Sequence, residues 1–118
     1  MEATTTQDTK TEIQAIADKA RDTIEQAHEN GTLYEWFLDV YETYRVYRRT
    51  IDHKGELIGY ELLIAYGGPN VYVIDKGGPI AAVKCYWGFE ESEPAHLDRD
   101  TTNALFDIIN DYHELERM

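Results

Sequence analysis

The hydrophobic period of this chain changes near residue 43, and the segments that follow are joined by very short corners. "TYRVYRRTI" (43–51), "LIGYELLIAY" (57–66), "VYVID" (71–75) and "IAAVKCYW" (80–87) are rich in Tyr, Val, Ile and Thr. Such residues suit a pleated, half-buried surface, and in these segments apolar side chains tend to alternate with polar ones. The links between them are no more than five residues long. Parallel neighbours need crossovers of about a dozen residues or more, so four strands joined this way pair as an antiparallel meander. On the second segment, Ile58, Tyr60, Leu62, Ile64 and Tyr66 are expected to share one face.

The corners raise a chemical question. "YGGPNVYVIDKGGP" (66–79) places four glycines and two prolines in fourteen positions. A phosphate-binding loop needs the GxxxxGK[ST] spacing and a helix whose N-terminus faces the phosphate. Neither glycine pair begins that pattern, and strands follow both. Glycine supplies positive φ in a tight turn, Pro69 pre-sets a corner residue and Asn70 tolerates the next position. "DKGG" fits a type I turn closed through a glycine bulge. Both clusters read as turns.

Helical spacing governs the two ends. Ile13, Ile16, Ala17, Ala20, Ile24 and Ala27 recur as one stripe from about Thr9 to Glu29. Thr9 with Glu12 fits a capping box, Asn30-Gly31 supplies a stop, and residues 1–8 are expected to fray. A short second helix is expected from Leu33 to about Tyr41. A last helix, from about Asp100 to Leu115, carries Leu105, Ile108, Ile109, Tyr112 and Leu115, with Asp98 or Asp100 as its cap. "GFEESEPAHLDRD" (88–100) is expected to be an acidic loop. The fold class is α+β: a four-stranded antiparallel sheet covered by N-terminal helices and a C-terminal helix, in one domain.

Charge narrows the function. The net charge is −12, and residues 1–42 carry ten acids against three bases while residues 88–118 carry nine against two. The intervening sheet segment is slightly basic. Phosphates would be repelled, so direct nucleic-acid binding is not expected and a basic protein partner is. One cysteine, Cys85, allows no internal disulfide and suits a reducing compartment. With no long apolar stretch and a polar start, a cytoplasmic protein without membrane contact is expected.

Catalytic and metal chemistry find little support. His28, His53, His96 and His113 show no ligand spacing with one another or with Cys85. His96, Asp98 and Asp100 form a sparse oxygen-nitrogen set that helix capping explains equally well. No catalytic residue, metal or cofactor is expected, and a non-enzyme is the favoured class.

The acids themselves are patterned. Asp18, Asp22, Glu25 and Glu29 fall within about 60° on the first helix, opposite its apolar stripe. Asp100, Asp107, Asp111 and Glu114 repeat the pattern on the last. Like charges at i,i+4 cost about 0.2–0.5 kcal/mol per pair. From Asp18 to Glu29 is about 16 Å. Four charges over that length approach, in order of magnitude, the charge spacing of about 3.4 Å along one DNA strand. Three uses are open: a solvated face with surplus charge, a halophile-type surface, or a mimic that fills a basic groove. A separate surface is offered by aromatics, Tyr86 and Trp87 foremost, which serve cores and interfaces alike.

The segment "LLIAYGGPNVYVIDKGGPIAAVKCYWG", followed by acids and a C-terminal helix, resembles a set of short phage and conjugative-element proteins. In that set a GGPN turn precedes a strand and "YWG" ends the next. The likeness runs from about Leu33 to the C-terminus; "DKGGP" and the acidic first helix depart from it. The resemblance implies a counter-defence context, of the anti-CRISPR or antirestriction kind. It makes the expected partner a CRISPR effector or restriction complex with a basic nucleic-acid site. Asp18, Asp22, Glu25, Glu29, Glu90, Glu91 and Glu93 are then the first contact candidates, with Asp107, Asp111 and Glu114 beyond them. A non-mimic module or homodimer using Tyr86 and Trp87, and a small enzyme near the glycine turns, are the alternatives.

Overall fold

Among the described residues the change of period is realised as three helices packed on one antiparallel sheet. The computed structural model describes residues 6–118, so the expectation for residues 1–5 lies outside the described residues. Its elements are α1 (Thr6–Glu29), α2 (Leu33–Tyr44), β1 (Tyr47–Ile51), β2 (Leu57–Ala65), β3 (Asn70–Asp75), β4 (Ala82–Trp87), β5 (Glu90–Glu91), β6 (Ala95–His96) and α3 (Arg99–Glu116). The α+β class and the meander are as expected: β1, β2, β3 and β4 pair antiparallel in chain order.

Several boundaries differ. Helix α1 is already running at Thr6, so Thr9 lies inside it and caps nothing. Its C-terminus stops as expected, with Gly31 at φ 75°. Helix α2 continues to Tyr44, taking the first residues of the expected strand, and ends where Arg45 turns left-handed at φ 55°. Tertiary packing decides this, because Phe37 and Tyr41 stack one helical turn apart against the core.

The segment 88–100 is not simply a loop. Both β5 and β6 pair with the outer edge of β4, as Tyr86↔Glu91 and Ala82↔His96. Buried Ser92 bridges the gap between them. Its Oγ accepts from the Cys85 N–H at 2.9 Å, and its own N–H donates to the Cys85 carbonyl at 2.8 Å. Little of that edge is left without a partner.

Strand β2 breaks the two-residue repeat twice. Register shifts at Thr50/Ile51 and at Leu63/Ala65 each insert an extra residue. Tyr60 and Leu62 are buried as expected, but Leu57 replaces Ile58 in the core, and Ile58 and Tyr66 are exposed. On β3 and β4 the alternation is clean. Val71, Val73, Val83 and Cys85 point inward to Ile13, Ala17, Phe37, Leu105 and Ile109, while Tyr72, Lys84 and Tyr86 point away. On α3 the buried stripe ends in His113, and the expected Leu115 is exposed. The His113 ring lies 2.8 Å from the Gly55 carbonyl and 3.1 Å from the Arg49 guanidinium, tying the β1–β2 corner to α3.

The "DKGG" corner is a turn with a buried acid at its base. The Asp75 carboxylate accepts from the Gly77 N–H at 2.8 Å, and Gly77 takes φ 90°. Burial raises this carboxyl above its ordinary value, with the Gly77 bond opposing. The native state therefore binds the Asp75 proton more tightly than the unfolded chain does. The charged form costs stability above the folded value, and that cost fades as pH falls through it. Asp75→Asn keeps the acceptor and removes the charge. It should melt at a higher temperature than the native chain at neutral pH, and the gap should close as pH approaches about 4 in thermal scans.

Candidate functional site

The acids of α1 stand away from the core residues Ile13, Ala17 and Ile24 on the same helix. Asp22 and Glu29 are exposed, whereas Asp18 and Glu25 are half-buried because the segment after β4 folds back over them. Gln14 makes the junction. Its Nε2 donates to Asp18 Oδ1 at 3.1 Å and to the Glu93 carbonyl at 3.3 Å, and its Oε1 accepts from the Glu93 N–H at 2.8 Å. A residue on the helix thus satisfies both backbone groups of a residue far along the chain. Glu25 makes a second junction, accepting from the Asp98 N–H at 2.8 Å. Asp98 in turn caps α3 by accepting from the Thr101 N–H at 2.7 Å, which holds its carboxyl below the usual range.

These junctions bring Asp18, Glu90, Glu91 and Glu93 to one side of α1. Between them lies an open cleft of about 440 Å³ lined by Lys10, Gln14, Asp18, Glu91 and Glu93 among others. The acids are not all free. Lys10 Nζ is 4.0 Å from Glu90, and Lys84 hydrogen-bonds Glu91. That hydrogen bond holds the Glu91 carboxyl low and raises the Lys84 ammonium. Exposed pairs of this kind add little to stability and open readily when a stronger cationic partner arrives.

The remaining candidates are placed elsewhere. Asp107 and Asp111 form a separate exposed ridge on α3, and Glu114 is tied to Arg117 at 3.0 Å. Tyr86 and Trp87 are consecutive on β4 and so face opposite sides of the sheet; they cannot form a single patch. Tyr86 packs edge-on against Tyr72 with ring centroids 5.8 Å apart. Trp87 is 48% exposed, at the end of the sheet beside α1. Gln14 was missed from the sequence because it is uncharged. Its one signal is the i,i+4 spacing to Asp18, a pairing that Gln and Asp make on helices.

Among the described residues no three His, Cys, Asp or Glu side chains are grouped to hold a metal, the set His96, Asp98 and Asp100 included. Cys85 is fully buried and burial pushes its thiol up, away from nucleophilic character. No described helix is long and apolar enough to cross a membrane. Comparison with protein-family models, curated proteins and solved structures gave no match. What defines the class here is the architecture: an α+β domain whose helix layer joins an acidic ridge to an acidic sheet edge.

Proposed function

We propose that this protein is a stoichiometric inhibitor that occupies a basic nucleic-acid-binding surface on a partner protein. The observation that carries this reading is the Gln14 clamp, which fixes the 90–93 acids beside the carboxylates of α1. Two segments far apart in sequence thereby offer one anionic face, with charges at intervals on the scale of a phosphate backbone. Such a face speeds encounter with a cationic groove and competes with the nucleic acid for it. The resemblance to phage and conjugative-element proteins directs the partner class to CRISPR effector or restriction complexes, met in the host cytoplasm. The mode of action needs no catalytic group and no cofactor.

The test is retention of purified effector and restriction complexes on the immobilised protein, with and without competing DNA. Binding should weaken steeply with salt and be displaced by DNA. The combined variant Asp22→Lys, Glu29→Lys, Glu93→Lys changes only exposed acids and should weaken binding on the order of a hundredfold, since like charges meeting across an interface cost several kcal/mol. Retention that ignores both salt and these substitutions would sink the reading.

A further inference from the structure

Helix α1 has a second exposed face that the acidic reading leaves unused. Ile16 belongs to the apolar stripe yet is 37% exposed. It is shared by two adjoining hollows of about 490 and 300 Å³. In the first it meets Pro69 and Trp87, and in the second it lies with Trp36, Ile64 and Val71. Together they make an apolar groove between α1, α2 and the "GGPN" corner. Phe89, fully exposed, stands two residues beyond Trp87. Large apolar side chains gathered this way mark interaction sites, unlike hydrophobes scattered singly.

The charges on the groove wall indicate the occupant. Along α1 the wall reads Thr9, Glu12, Ile16, Lys19, Thr23, at intervals of three, four, three and four residues. A two-fold axis beside Ile16 sets Thr9 of one copy against Thr23 of the other, each seven residues away, and brings Glu12, four residues before Ile16, within about 1.5 Å of axial rise of the other copy's Lys19, three residues after it. Both charged residues are exposed, and neither forms an ion pair with a described residue. The geometry points to a second copy of this chain: two α1 helices packed antiparallel about Ile16, with Glu12 of each copy against Lys19 of the other. An isologous contact requires this self-complementarity. At 100° per residue the acidic ridge lies about 140° around α1 from the groove, so pairing leaves both ridges outward. Two chains of net charge −12 repel at long range, and moderate salt should therefore strengthen the dimer. Salt has the opposite effect expected for the basic partner, which separates the two surfaces experimentally.

Sedimentation of the full chain from micromolar to millimolar concentration tests the pairing. A reversible dimer is expected, and Ile16→Asp should be monomeric with unchanged circular dichroism. Glu12→Lys and Lys19→Glu should each weaken association about tenfold, and the double variant should recover most of it. Glu12→Lys is decisive, because its lower net charge alone would tighten a dimer held elsewhere. A monomer throughout, a dimer that survives Ile16→Asp, or a double variant no tighter than the single ones overturns the proposal.

Discussion

Phe37→Ala should cost about 3–5 kcal/mol of folding stability. A chain of this length is expected to hold roughly 6–18 kcal/mol in all, at about 0.05–0.15 per residue. The ring is fully buried where α2 meets α3 and the sheet. It stacks on Tyr41 at 5.9 Å and meets Tyr112 edge-on at 5.8 Å, while Tyr41 meets Tyr47 edge-on at 5.9 Å. Removing it deprives two rings, Tyr41 and Tyr112, of a neighbour at once, and rigid aromatics cannot fold in to fill the space. Phe37→Leu, which keeps most of the volume, should cost far less. Urea titration of the three proteins decides it. A loss near 1 kcal/mol for the alanine variant would mean that the aromatic cluster repacks.

Gly59→Ala should be nearly as damaging for a different reason. A Cβ at Gly59 would lie 2.6 Å from the Asp75 carbonyl oxygen, a backbone atom held in the β2–β3 ladder. Relief requires the strands to part, which costs about 1–3 kcal/mol and more where the backbone cannot yield. Gly78→Ala serves as the control: nothing stands within 4 Å of its Cβ position and its φ is not positive. That variant should melt within a degree or two of the native chain. Equal losses at the two positions would show that β2 and β3 move apart easily.

Gly59 also shows where the sequence was silent. A glycine inside a strand signals close approach of something, but not of what. The meander followed from connection length, and the inward faces of β3 and β4 from their alternation, because both depend on local geometry. The two bulges of β2 did not show, since an extra residue leaves composition unchanged while shifting which side chain faces in. Leu57 and Ile58 exchanged places for that reason. The far end of α2 was hidden by propensity: Thr43 and Tyr44 suit a strand, but the aromatic contacts of Phe37 and Tyr41, and the Thr43 hydroxyl donating to the Asp39 carbonyl at 2.7 Å, hold the helix there. For the surface, the α1 ridge was visible in spacing alone. Its union with Glu93 was not, because Gln14 acts through backbone groups that no side-chain pattern records.

The sheet has one edge still open, and its chemistry bears on solubility. Among the described residues strand β1 pairs only with β2, and its short run "YRRTI" carries Arg48 and Arg49 before the register slips at Thr50/Ile51. A second strand of the same kind added there would set guanidinium groups opposite one another. Fibril-like growth through this edge is thus opposed by like charge. At high concentration the chain should stay in solution as discrete particles rather than extend into ribbons.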